Sequence, residues 1–163
     1  MSNLMKKISL LQQRNILQEI DLELCRFLKE HHQEASEQVL LAACLVSYLF
    51  RQGDVCLLLE KYASEPLFDE IEESTNLEAP ELQSWKEALQ ESPLVGAPGE
   101  FKPLILDEGG RLYLHKLWHY ERSLAEQLIE RSTPKENEVD IDQLKNGLDR
   151  LFPDQTDNEV DWQ

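Results

Sequence analysis

The sequence has 163 residues, 41% of them apolar and 29% charged, and its 32 acidic against 16 basic side chains leave a formal net charge of −16. Length and apolar content suffice for one domain with a core of its own. The charge argues against a chain that grips nucleic acid by displacing counterions with Lys and Arg. Cys25, Cys44 and Cys56 are odd in number and lack CxxC spacing, which excludes a disulfide framework and a thiolate zinc site and leaves small buried hydrophobes in a reducing cytoplasm.

Residues 1–14 carry Leu4, Ile8 and Leu11 at helical spacing and predict a first helix. A second is predicted over 20–31, with Ile20, Leu24, Phe27 and Leu28 as its apolar side and Glu23, Lys29 and Glu30 opposite. The third has Ser36 as N-cap, an apolar run over 39–50 interrupted only by Ser47, and Gly53 as a left-handed stop. That run is too short to span a membrane and fits a fully buried central helix. Residues 54–58 predict a short strand and 57–63 a brief helix, followed by helix fragments and loop in the acidic segment 66–79. Pro80 opens a helix with Leu82, Trp85, Ala88 and Leu89 on one face, and 92–96 break it with a further strand.

Two apolar runs, 103–106 and 112–118, flank Asp107-Glu108-Gly109-Gly110, a turn whose glycines can supply positive φ, so a hairpin is predicted from Pro103 to Trp118. In the helix that follows, Leu117, Tyr120, Leu124 and Leu128, widened by Ala125 and Ile129, form the side expected to be buried. After a polar connector, a last helix is predicted over 140–151, with Ile141, Leu144, Leu148 and Leu151 apolar and Pro153 ending it. The expected fold is mainly α (α+β): six to seven helices with a small antiparallel sheet built on the hairpin.

No string carries catalysis by its own chemistry. His115 and His119 are four apart, but with His115 predicted in a strand and no HExxH string present, no metal site is expected. His31-His32 reads as a pair at a helix C-terminus. Carboxylate pairs such as Asp69 with Glu73 lie in an exposed acidic run, unlike the clefts that perturb catalytic acids and bases. Residues 60–92 hold ten acidic and two basic side chains and 136–163 nine and two, so the charge sits in two segments and offers a docking face to a basic partner. Arg111, Lys116 and Arg122 form a modest basic group expected to pair with Glu121 and Glu126. Trp118, Tyr120 and Arg122, at the joint of hairpin and helix, are the candidate interface residues, since exposed aromatics and Arg anchor interfaces.

Taken with residues 40–58 (LLAACLVSYLFRQGDVCLL), the PLIL and GRLYL strands, the Trp118 to Arg122 helix start and the ending LFP…VDWQ, the chain resembles the amino-terminal domain of RecD over 36–163. RecD is the alpha subunit of exodeoxyribonuclease V, the RecBCD helicase-nuclease. The resemblance implies an interaction domain over 1–152 that contacts a RecC-like subunit directly and a RecB-like subunit in the same complex. It implies that 153–163 begin a linker into a helicase motor moving 5′ to 3′. The family's phosphate loop, GxxxxGK[ST], does not occur in these residues. ATP, Mg and DNA contacts are therefore expected of the motor and not of this stretch, which carries no catalytic residue or cofactor of its own. Gln163 resembles the adenine-contacting glutamine that opens the motor. Helices followed by a small hairpin keep a winged-helix nucleic-acid binder as the alternative.

Overall fold

A computed structural model describes residues 3–68, 77–132 and 140–152. The chain divides into two compact units, Met1–Glu126 and Gln127–Gln163. The first holds helices α1 (Asn3–Gln13), α2 (Glu19–His31), α3 (Glu37–Gln52), α4 (Leu59–Tyr62) and α5 (Leu82–Gln90). It also holds strands β1 (Leu57–Leu58), β2 (Pro66–Leu67), β3 (Leu77–Glu78), β4 (Val95–Gly96), β5 (Leu104–Leu106) and β6 (Arg111–Leu114). Helix α6 (His115–Ser132) crosses into the second unit, which also holds α7 (Ile141–Leu151).

The middle of the first unit is α3, packed against α2, α5 and β6. Ser36 accepts the Val39 amide at its start, and Gly53 closes it at φ 101°, where the amide finds Leu49 and Phe50 carbonyls. With both ends satisfied, its Leu, Ala and Val side chains bury from Val39 through Val46. Helix α2 meets it on a side turned from the one its apolar spacing predicts: Leu24 and Leu28 pack on the core as expected, but the other two predicted residues do not. Ile20 and Phe27 are exposed while Asp21, Leu22, Cys25 and Leu28 are buried. Asp21 decides that rotation. Its carboxylate takes the Ser47 hydroxyl at 2.6 Å, the Arg51 Nε–H at 3.3 Å, a second Arg51 N–H and the Gln18 amide at 2.8 Å. A charge buried with that many donors is tolerated, and it turns α2 so that Phe27 faces outward and stacks on His31 at 4.1 Å.

Helix α5 starts from Glu81, whose carboxylate accepts the Gln83 and Ser84 amides and is held below its ordinary pKa by them. It buries Trp85 and Leu89 completely, and the Trp85 indole N–H donates to the Gln38 carbonyl of α3 at 3.1 Å. The main sheet runs β1-β6-β5-β4, with β5 and β6 antiparallel as the hairpin requires. The small antiparallel sheet expected on the hairpin is present, and β4 joins its edge paired in parallel with β5. The hairpin turn holds Gly110 at φ 72°, and its amide donates to the Asp107 carbonyl at 3.1 Å. At the two ends of the acidic segment β2 pairs antiparallel with β3, and most of the stretch expected to hold helix fragments and loop, 69–76, lies outside the described residues.

Two expectations about the ends fail. Strand β6 stops at Leu114, not at Trp118, and α6 follows at His115 with no residue between. Neither α6 nor α7 buries a single residue, although α6 was expected to cover the hairpin with its apolar side. The core is complete without them: α1 to α5 and the strands already enclose it.

Candidate interaction surface

The joint of β6 and α6 gathers a group of rings in the first unit, with Phe101, His119 and Tyr120 exposed and His115 and Trp118 half-buried. The His115 amide is committed to the Pro103 carbonyl at 3.0 Å, which ties the start of the helix to the entry of the hairpin. Phe101, 92% exposed, sits edge-on to the His115 ring at 4.9 Å. One turn along, His119 lies parallel to His115 with centroids 6.5 Å apart, so both imidazoles occupy one face of one helix and not a strand and a helix. Trp118 lies 6.5 Å from His115, and Tyr120 is exposed beside His119 at 6.4 Å.

Cations cover two of these rings. The Arg122 guanidinium carbon is 5.7 Å from the Trp118 centroid while its Nε–H donates to Glu126 at 2.8 Å. The Lys116 ammonium is 5.5 Å from the Tyr120 centroid. Arg111, third of the predicted basic group, pairs with Asp107 at 2.7 Å and not with a glutamate of α6. Of the three predicted interface residues, Trp118 and Arg122 share one side of α6, to which Phe101 and His115 are adjacent, whereas Tyr120, two residues on from Trp118, lies with Lys116 on another. Phe101 was missed; a lone large aromatic between Gly99 and Pro103, in a stretch that otherwise reads as loop, was the available signal. Such a surface of rings pre-set by stacking and cation–π contacts offers a partner rigid apolar anchors at small entropic cost.

Elsewhere the chemistry is quiet. A groove of about 890 Å³ lies beside β4 and the hairpin turn, lined by Gly96, Glu100, Asp107, Glu108 and Arg111. Three of its charged groups are used internally: Glu100 accepts the Ala97 amide, and Asp107 holds Arg111 and the turn. Among the described residues no three His, Cys, Asp or Glu side chains gather as a metal site would require. The thiol of Cys44 is pushed well above its ordinary pKa by a hydrogen bond with Cys25 and by burial, and that of Cys56 is raised by burial, so neither is a ready nucleophile. No helix among the described residues is long and apolar enough to cross a membrane. Asp69, Glu73, Pro153 and Gln163 lie outside the described residues.

Compared with known families, residues 13–113 match the model of the N-terminal domain of the RecBCD enzyme subunit RecD. The chain belongs to the RecD N-terminal domain family. A curated relative, the RecBCD enzyme subunit RecD of Mycolicibacterium smegmatis, is 29% identical over 114 residues, 70% of this chain and 19% of that protein. The chain thus spans about a fifth of the length of the RecD relative it matches. The RecD match reaches back to Gln13, well before the residue 36 expected from the resemblance, and stops at Tyr113 in β6. It takes in α2 through α5 and nearly all of the sheet, while α6 and α7 follow it.

Proposed function

We propose that this chain is the non-catalytic N-terminal domain of a RecD-type subunit of exodeoxyribonuclease V, holding a 5′–3′ helicase motor to a RecC-like subunit during double-strand break repair. The observation that carries the reading is the RecD match over 13–113, which lies within the unit that owns the core and takes in most of it. The ring cluster supports it, because Trp, Tyr and Arg are the residue types that dominate interface energetics. A RecB-like subunit belongs to the same complex. ATP, Mg and the DNA strand are handled by the motor, to which residues 153–163 lead and in which Gln163 contacts the adenine. The cytoplasm, where chromosomal breaks occur in bacteria, is the matching compartment.

The net charge of −16 supports a protein partner over a phosphate backbone, since this chain repels DNA at long range. Calorimetric titration of the chain into a folded RecC-like subunit tests the reading. Binding is expected, and Trp118→Ala combined with Tyr120→Ala should weaken it by roughly tenfold or more, the loss typical of anchoring aromatics. Both side chains lie outside the core, so circular dichroism should be unchanged. Two folded proteins that fail to associate would sink the proposal.

A further inference from the structure

The sequence holds four histidines, and the structure uses them differently. His31 commits its Nδ1 to the Phe27 carbonyl at 2.9 Å. His115 and His119 stand in the first two turns of α6, one half-buried and the other exposed, with parallel rings whose centroids are 6.5 Å apart. Among the described residues the ring nitrogens of this pair make no hydrogen bond to the protein; the contacts are to other rings, Phe101 and Trp118 for His115 and Tyr120 for His119. Four residues along a helix is the spacing at which two imidazoles reach one metal ion. A histidine in a strand and one in a helix would diverge, but α6 begins at His115 and so carries both.

We propose that His115 and His119 together chelate a divalent transition cation of the zinc class (Zn2+, Ni2+ or Cu2+) in an open site whose remaining positions are filled by water. Imidazole nitrogen selects these ions over Mg2+ and Ca2+, which take oxygen ligands. No third protein ligand is gathered among the described residues, so the site is exchangeable and not a closed structural centre. Metal–nitrogen distances of about 2.0–2.1 Å and a tetrahedral angle bring the two centroids to roughly 5 Å. His115 is steadied for this by the edge of Phe101 at 4.9 Å and by its amide, bonded to the Pro103 carbonyl at 3.0 Å. His119 is exposed, and a swing of its ring by about 1 Å closes the chelate within one rotamer. The start of α6 and Lys116 oppose a cation, while the net charge of −16 draws one in. Two ligands supply about half of what four supply in a structural zinc site, which corresponds to a Kd of about 1–200 μM.

Calorimetric titration of Zn2+ into the metal-free chain, with Mg2+ in large excess, tests the proposal. One ion per chain is expected, with a Kd in that range. His115→Ala and His119→Ala should each weaken binding about tenfold or more, whereas His31→Ala combined with His32→Ala should leave it unchanged. His119→Cys returns a ligand to the same place and should restore binding. Hydrogen exchange places the ion independently of its affinity: Zn2+ should slow the amides of the first two turns of α6 in the natural sequence and not in His119→Ala, because a bound ion clips one turn to the next. No binding tighter than about 1 mM would overturn the proposal. So would binding that survives loss of both His115 and His119, which would assign the ion to carboxylates, or binding lost with His31 and His32. No partner subunit enters the experiment, so its result stands whether or not the chain anchors one.

Discussion

Replacing Asp21 by Ala should unfold the molecule at markedly lower denaturant. The carboxylate is fully buried and holds four donors from three places: the turn before α2, Ser47 in the middle of α3 and Arg51 near its end. Removing one partner of a buried ion pair costs about 3–5 kcal/mol. The Arg51 side chain keeps 20% of its surface in water, so its guanidinium can turn outward, and the lower part of that range applies. Loss of the Gln18 amide bond, equivalent to a helix cap, adds about 1 kcal/mol. A total of about 4 kcal/mol follows, and with a urea slope of about 1.5–2 kcal/mol/M the midpoint should fall by about 2 M. Asp21→Asn keeps the shape and some acceptors and should lose about half as much. In a double-mutant cycle with Arg51→Ala, the two single losses should exceed the double loss by at least about 1 kcal/mol, as coupled neighbours do. The assay is equilibrium urea unfolding followed by circular dichroism. An Asp21→Ala loss below about 1 kcal/mol, or strict additivity with Arg51, would refute the view that this carboxylate fixes the rotation of α2.

Trp85→Ala should cost about 3–5 kcal/mol by cavity formation. Trp85→Phe should cost about 1–2 kcal/mol, mostly for the Gln38 carbonyl left without its donor; both are read by the same unfolding experiment. Tyr113, buried in β6, has its phenol pushed up to about 12, chiefly by burial. A raised acid pKa favours the protonated fold, so stability should be full below the unfolded value near 10 and decline as pH rises from about 10 toward about 12. Phenolate absorbance should show one tyrosine titrating late, in a step absent from the Tyr113→Phe variant.

Much of the fold was legible because its signals are local. Ser36 and Gly53 bracket α3 by the chemistry of its ends, and the glycines after Glu108 announce a turn whatever surrounds them. What escaped depends on partners distant in sequence. The pairing of β2 with β3 joins two-residue strands across the acidic segment, too short for any periodicity to show. The buried side of α2 was read only in part, with Leu24 and Leu28 right and Ile20 and Phe27 wrong, because spacing counts apolar residues only, and the decisive one is an aspartate whose donors lie 26 and 30 residues away. On α6 the pattern was read correctly as amphipathic and wrongly as buried. A stripe marks which side of a helix is apolar, not that the nearest sheet covers it. At the surface cluster, Trp118, Tyr120 and Arg122 were identified by type and position, whereas Phe101 reaches His115 only once the hairpin brings its loop beside the helix.

The absence of any loop between β6 and α6 has a mechanical meaning. A flexible connector absorbs a pull by straightening; here Leu114 ends a strand bonded on both sides, to β1 and to β5, and His115 already begins a helix. Tension along α6 therefore loads β6 directly and is shared in shear by its pairings with Leu57, Leu58 and Leu104 through Leu106. Shear across several strand bonds at once resists far more force than peeling them singly. The start of α6 and the hairpin are thereby joined stiffly, so a displacement of the one is felt at once in the strand bonds of the other.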